Sequence, residues 1–399
     1  MSRIMVIAGG EWQCPLVRNI KEMGHEVICT NLYEDSPAFK YADYGEVADV
    51  LDKKKNLEIA LKYMPDAVVT DQSDIAVTTV AYVADKLGIK GIGVKVAEQF
   101  TNKQQMRKFC KENNFPTPAY RECVSKCEAK DFFRKTGKKM IMKPLDSQSS
   151  RGIHIINNED DIEKHFEESM SFSNTTESVL LEEYIEGTEF TVDGIMTSCG
   201  YFTTAISKKK HFDYNPSIAK ELLFSYRDEE YDYEKLAKVN KDIVMGMGLP
   251  FGLTHAEYKY ENGEFYLIEI AARGGGTKIS SNIVPIMSGV NTNKILVEEL
   301  LGNHQEIELR EKDTRCAVLG FFDFEPGMVE CIEGIEEAKR LDGVDDLYLD
   351  VYPGQRIGKA TDDRSRVGHY ILWANSMEEL RELEQRVLDI VKVVYKGER

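Results

Sequence analysis

Residues 252–273 read Gly-Leu-Thr-His-Ala-Glu-Tyr-Lys-Tyr-Glu-Asn-Gly-Glu-Phe-Tyr-Leu-Ile-Glu-Ile-Ala-Ala-Arg, a hairpin pattern around Glu261-Asn262-Gly263. Within it, Glu269 is the residue that demands chemistry. It shares a strand face with Phe265, Leu267 and Ala271 and is flanked by Ile268 and Ile270. A carboxylate in a strand with both faces apolar needs a partner, because an unpaired buried charge is costly. Arg273 is on the same face, but about 13 Å along an extended strand. A cation is the better partner, with Glu257 on the first strand as the second carboxylate to hold it. Oxygen-only ligands point to Mg2+, or Mn2+ in its place, bridging carboxylates to nucleotide phosphates. His255 points to the same face as Glu257.

Two registers of this hairpin have different consequences. A two-residue Asn262-Gly263 turn pairs Glu261 with Glu264 and sets Glu257 opposite Ile268, with Glu269 on the other face. A three-residue loop with a left-handed Gly263 pairs Tyr260 with Glu264. Glu257 then lies diagonal to Glu269 on one face, roughly 7–8 Å away. The second register avoids two like charges directly opposite one another and is the one expected.

Lys143 closes the short apolar run Met140-Ile-Met142 and precedes Pro144, so its ammonium sits at an element end rather than on a solvated face. The stretch Ser147-Gln-Ser-Ser-Arg-Gly152 follows. Such a small-residue loop can fold over phosphates and donate amides and hydroxyls. Lys103 falls in the first turn of a helix, where the macrodipole disfavours a cation unless it serves an anionic ligand. It is the order lysine, lysine, small loop, acidic strand, acidic hairpin, more than any one residue, that points to a nucleotide.

The elements that carry these residues are of mixed type. Over the first 95 residues, strands (3–8, 26–30, 67–70) alternate with helices (12–23, 74–87), implying a parallel sheet with right-handed crossovers. The turn Ala8-Gly9-Gly10 lacks a G-x-G-x-x-G pattern and reads as a helix-capping turn. A helix over 96–113, a strand over 119–124, a helix over 127–136 and a strand over 139–144 follow. Strands at 179–183, 189–196 and 201–207 come next. Residues 208–226 show no clear period and read as a loop that opens on a basic surface run, Lys208-Lys-Lys210. A helix over 231–247, the hairpin and a last helix over 376–393 complete the pattern, with no internal repeat.

Acidic residues outnumber basic ones by 68 to 51, a formal charge of −17 over 399 residues. Such a surface repels phosphate backbones and anionic lipid, so nucleic-acid and membrane partners are not expected. No apolar run approaches the ~18 residues of a membrane span. The apolar residues 4–8 read as a buried strand rather than the core of a signal peptide. The eight cysteines are scattered, with only Cys123 and Cys127 close together. They read as reduced thiols of a cytoplasmic protein.

On these motifs the chain resembles the ATP-grasp superfamily, in its carboxylate–amine (amino-acid) ligase branch, over nearly its whole length. Asn102-Lys103-x-x-Met106-Arg107 resembles the first ATP lysine of the family. Met142-Lys143-Pro144 with Ser149-Ser150-Arg151-Gly152 resembles the second lysine and its flap, which implies that Ser149 and Ser150 contact ATP. Leu181-Glu-Glu-Tyr-Ile-Glu-Gly-Thr-Glu189 is similar to the segment that cradles adenine. It implies Glu182, Glu183 and Ile185 at the adenine edge and Glu189 at the ribose hydroxyls. His255-Ala-Glu257 and Ile268-Glu-Ile-Ala-Ala-Arg273 resemble the paired magnesium glutamates and the arginine that meets the transferring phosphoryl group. Ala271 stands where many relatives carry asparagine. Tyr352-Pro-Gly-Gln355 and Arg366-Val-Gly368 resemble the last domain of the amino-acid ligases.

The resemblance implies an α/β protein with an N-terminal parallel-sheet (pre-ATP-grasp) domain, 1–95. A two-lobed α+β ATP-grasp domain follows, 96–183 and 184–303, then a small C-terminal α+β domain, 304–399. It implies ATP-dependent joining of a small-molecule carboxylate to an amine through an acyl phosphate, with Arg273 and Lys143 catalytic. Arg151, His211 and, by family analogy, Trp12 and Gln13 are expected to meet substrate. A homodimer through the first domain also follows from the resemblance. Two rival readings are a bicarbonate-dependent carboxylase like carboxyaminoimidazole ribonucleotide synthetase, and a nucleotide-binding regulator without turnover.

Overall fold

The computed structural model describes residues 1–145, 152–173, 177–304, 306–312 and 314–397. Strands β1 (Arg3–Ile7), β2 (Glu26–Asn31), β3 (Tyr44–Val47) and β4 (Ala67–Val69) form a parallel sheet of order β3-β2-β1-β4. Helices α1 (Cys14–Glu22), α2 (Lys53–Tyr63) and α3 (Asp74–Leu87) are the connections and cover. Strand β3 and helix α2 go beyond the elements expected. β3 is an exposed edge strand and α2 opens on three lysines, so neither carries a clear apolar stripe.

The helix expected over 96–113 is two helices, α4 (Val94–Gln99) and α5 (Lys103–Glu112). The Asn102 side chain accepts from the Gln105 amide at 3.0 Å and so begins a new helix. That cap makes Lys103 the first residue of α5, with only 3% of its surface exposed. The first lobe follows with β5 (Tyr120–Cys123), α6 (Lys126–Thr136), β6 (Met140–Pro144), β7 (His154–Ile156), α7 (Glu159–Ser171) and β8 (Val179–Glu183). Its sheet has the order β5-β8-β6-β7.

The second lobe comprises β9 (Thr188–Thr197), β10 (Gly200–Phe212), β11 (Asn215–Phe224), α8 (Tyr233–Gly246), β12 (Gly252–Glu261) and β13 (Glu264–Ala271). Helices α9 (Val284–Ser288) and α10 (Thr292–Leu300) lead to β14 (Cys316–Phe321), β15 (Gly327–Glu333), α11 (Ile335–Ala338) and β16 (Val344–Leu349). The chain goes on through β17 (Arg356–Ile357), β18 (Gly368–Ala374), α12 (Met377–Ile390) and β19 (Lys392–Tyr395). One eight-stranded sheet, order β13-β12-β9-β10-β11-β14-β18-β16, runs through both the second lobe and the C-terminal part. Tertiary pairing of β11 with β14 thus carries the sheet across the boundary expected at 303/304. Helix α8 closes one face over Phe190, Val192, Tyr258 and Ile270, each fully buried. Such burial stabilises by about 1.5–3 kcal/mol per side chain. Among the described residues no helix is long and apolar enough to cross a membrane.

Two local expectations need correction. Residues 208–226 are not a loop. They are the end of β10 and the whole of β11, paired antiparallel with irregular register at Lys210/His211 and His211/Phe212. Three successive lysines and an irregular pairing hide the period-two pattern in the sequence. The hairpin β12–β13 has the register that was not expected, Glu261 opposite Glu264 across a two-residue turn with Asn262 and Gly263 at φ 52° and 84°. Lys235 makes the like-charge pair tolerable by donating to Glu264 at 2.9 Å.

Candidate active site

The two-residue turn alone would send Glu257 and Glu269 to opposite faces. A bulge prevents this. Tyr258 pairs with Leu267 and Glu257 pairs with Glu269, so Ile268 is an extra residue in β13. From the bulge onward the side chains of β13 change face, and the two glutamates stand directly opposite one another. The Ile268 carbonyl accepts a 2.7 Å hydrogen bond from Arg107 Nη2 on α5. Arg107 is 1% exposed, and its Nε donates to Glu182 at 2.5 Å.

Glu257 and Glu269 line a cleft of about 240 Å3 between the lobes. Lys103, Lys143, Glu182, Glu183 and Ile185 line it from α5 and the first-lobe strands, and Glu189, His211 and Arg273 from the second lobe. Eight other residues expected at the nucleotide and substrate site thus join the two glutamates around one cavity. Lys103 Nζ lies 2.9 Å from a Glu269 oxygen. Lys143 and Glu182, 4% and 1% exposed, are ion-paired. Burial by itself would raise the Glu182 carboxyl, but the charges of Arg107 and Lys143 outweigh it and hold it at about 2. Burial pulls the Lys143 ammonium below its ordinary value against the attraction of Glu182. The Glu182 carboxylate is therefore committed to two cations. Glu183 pairs with Lys138, and the Ile185 carbonyl accepts from Lys259 Nζ at 3.1 Å.

Lys209, read from the sequence as part of a surface run, points into the cleft. It donates to Glu189 at 2.6 Å and to Glu257 at 2.7 Å. Lys208 pairs with Asp228 and Lys210 is exposed, as alternation along β10 requires. Burial would raise the Glu189 carboxyl, yet the Lys209 charge and a His211 hydrogen bond hold it at about 2. His255 Nδ1 lies 2.9 Å from Asp193 and its Nε2 3.8 Å from Glu257. Arg273 forms a two-point pair with Asp74, at 2.7 and 2.8 Å. Asp74 begins α3 beyond the carboxyl end of parallel strand β4, where α/β sheets bind ligands. That position was a signal available in the sequence but not used.

The backbone after Arg273 is clamped by two buried aspartates. Gly274 N donates to Asp71 at 3.0 Å and Gly275 N to Asp193 at 3.2 Å. A Cβ at Gly275 would lie 2.7 Å from Asp193 and 2.9 Å from His255, so only glycine lets the chain approach this closely. Trp12 and Gln13 are not brought to the cleft. Gln13 Nε2 donates to the Asp71 carbonyl at 2.7 Å, and the Trp12 ring packs edge-on against His369. Ser149, Ser150 and Arg151 lie outside the described residues.

The donor set fits a hard divalent ion. Two carboxylates on one β-ribbon face the cavity, each now neutralised by a lysine ammonium, Lys209 on Glu257 and Lys103 on Glu269. The cleft therefore holds paired carboxylates, converging cations and an arginine at one end.

A family model for the ATP-grasp domain matches residues 136–282, and one for the L-amino acid ligase C-terminal domain 2 matches residues 320–396. The chain is 33% identical over 171 residues to formate-dependent phosphoribosylglycinamide formyltransferase from Chlorobium phaeobacteroides, covering 42% of this chain and 44% of that protein. It is 23% identical over 330 residues to the uncharacterized protein y4rH of Sinorhizobium fredii, covering 82% and 67% of the two chains. The crystal structure of L-amino acid ligase from Bacillus licheniformis shares its fold, with a TM-score of 0.82 at 18% identity over 100% of this chain and 99% of that one. The chain thus carries an ATP-grasp domain over residues 136–282, which holds the glutamate ribbon, and an L-amino acid ligase C-terminal domain 2 over residues 320–396.

Proposed function

We propose that this protein activates a small-molecule carboxylate with ATP and joins it to an amine, releasing ADP and phosphate. The observation that carries this reading is the pairing of Glu257 with Glu269 on one face of the bulged ribbon, in one cleft with Lys103 and Lys143. A carboxylate is a poor electrophile because its leaving group would be oxide. In the first step a carboxylate oxygen bonds to the γ-phosphorus as the bond from that phosphorus to the bridging oxygen breaks, and ADP departs. In the second step the amine nitrogen bonds to the acyl carbon and loses a proton, and the C–O bond to phosphate breaks to leave an amide. The protein's task is positional and electrostatic.

Lys103 and Lys143 hold α- and β-phosphate oxygens, Lys103 exchanging its contact with Glu269 for one with the nucleotide. The adenine edge is met by the strand end at Glu183–Ile185, and Glu189 accepts from the ribose hydroxyls. Glu257 and Glu269 are the residues that would hold Mg2+. When bound, the ion supplies neutralisation of the phosphate charge. Arg273, a permanently charged fork, stabilises oxyanions of the phosphoryl group or of the tetrahedral carbon. His211, 3.5 Å from Glu189, faces the cleft where the acceptor enters. The homodimer is part of the same reading, and sedimentation tests it.

A panel of acids and amines assayed by phosphate and ADP release tests the reaction. Turnover that needs both an acid and an amine supports it. Turnover on bicarbonate alone would move the assignment to a carboxylase, and tight ATP binding with no ADP across the panel to a regulator. Glu269→Ala is expected to lower the rate on the order of 100-fold or more, with an unchanged circular dichroism spectrum. Wild-type rates in that variant would refute the role of the ribbon.

A further inference from the structure

Three side chains that could ligate a metal meet outside the cleft, in the first lobe. His154 lies on edge strand β7, and His165 and Glu168 lie three residues apart on α7 and so share a helix face. One nitrogen of each ring and one Glu168 oxygen all lie within 4.8 Å of one another. His154 Nε2 is 3.4 Å and His165 Nδ1 3.5 Å from the same carboxylate oxygen, Oε2. Both ring nitrogens are buried with no hydrogen-bond partner. Leaving two such groups unsatisfied side by side costs free energy, and groups of this kind in native proteins normally have a partner or bind something. The two nitrogen–oxygen distances match a shared ion. Ligands at 2.0–2.1 Å from a tetrahedral centre are about 3.3 Å apart.

We propose that His154, His165 and Glu168 bind a late first-row divalent cation of the zinc class, with the fourth position open to water. Two imidazole nitrogens and one carboxylate suit zinc and its neighbours, whereas Mg2+ prefers all-oxygen sites such as the glutamate ribbon. The two rings stack at 4.0 Å with 14° between their planes, so binding an ion requires them to turn out of the stack about χ2 until both lone pairs converge. Their elements are already held together without it. The buried Ser169 hydroxyl on α7 donates to the Gly152 carbonyl just before β7, at 2.7 Å. A bound ion adds a cross-link between a three-residue edge strand and the helix that covers it.

Chelator-treated full-length protein is titrated with zinc chloride in excess Mg2+ by calorimetry, and with Co2+ as a spectroscopic probe. The site predicts one zinc per chain and visible cobalt absorption without a thiolate charge-transfer band, since no cysteine is a ligand. His165→Gln and Glu168→Gln should each weaken zinc by more than the roughly tenfold that losing an outer partner costs, and Glu257→Gln should not. Glu168 is half-exposed, so its substitution does not threaten the fold. An absence of zinc binding, a thiolate band, binding that survives both substitutions, or binding lost in Glu257→Gln would each overturn the assignment.

Discussion

Every carboxylate that faces the cleft from the glutamate ribbon and the segment before it is matched by a cation within the protein. Glu182 has Arg107 and Lys143, Glu189 and Glu257 share Lys209, and Glu269 has Lys103. Breaking a buried pair by removing one partner is far more costly than the net worth of the pair, because it strands a charge. The lysines are therefore aimed at the cavity before any nucleotide arrives, which is the preorganisation that phosphate binding needs. Lys143→Ala should raise the ATP concentration needed for half-maximal rate by at least about tenfold; an unchanged ATP titration would count against its role. The Glu182 carboxyl sits at about 2 against an ordinary 4.5. Its folded value is the lower one, so its stabilisation is complete above about pH 4.5 and is lost as pH falls toward 2. The urea midpoint of the wild type should therefore fall through that window. In Lys143→Ala, which lacks one of the two cations, the fall should be shallower.

The elements bring these charges together through one irregularity. A regular β12–β13 hairpin with its Asn-Gly turn would have set Glu257 against Ile268, and the extra residue in β13 turns Glu269 round to face Glu257. Arg107 ties that bulge to α5 and to β8 by bonding the Ile268 carbonyl and Glu182 at once. Arg107→Met should lose about 3–5 kcal/mol of stability, read from urea unfolding, and any folded fraction should bind Mg2+ more weakly. A loss under about 1 kcal/mol would show that the bulge stands without this arginine. The Asn102 cap has a comparable role, since it starts α5 at the residue whose ammonium must reach Glu269.

Across the whole molecule, the site is a meeting of parts distant in the chain. Arg273 of the second lobe is gripped by Asp74 at the start of α3 in the N-terminal part, and Asp71 of the same region holds the following glycine. The N-terminal domain thus orients the arginine. Asp74→Asn should keep the fold and the affinity for ATP while lowering kcat by at least about tenfold; a fall in ATP affinity with unchanged kcat would place Asp74 in nucleotide binding instead. The C-terminal part is joined just as firmly, through β11–β14 pairing and through Lys278, 2.6 Å from Asp346.

Residue types in chain order were enough to suggest the chemistry proposed above. Lysines at element ends, an acidic segment and a glutamate hairpin with apolar neighbours are local signals, because each reflects a charge set where a solvated face is not available. The parallel N-terminal sheet was legible for the same reason: alternation of apolar strands and amphipathic helices is a local pattern. The hairpin register was not. Sequence weighs only the turn and the cross-strand charges, whereas the bulge is stabilised by an arginine some 160 residues away in the chain. Nor could Lys209 be separated from its neighbours Lys208 and Lys210 until β10 was seen to be paired on both sides, which decides which of three consecutive lysines turns inward. Trp12 and Gln13 show the converse, a local motif whose side chains the tertiary contacts hold away from the cleft. Local pattern determines what an element is and which charges it carries. Long-range hydrogen bonds and strand pairing decide which way those charges point.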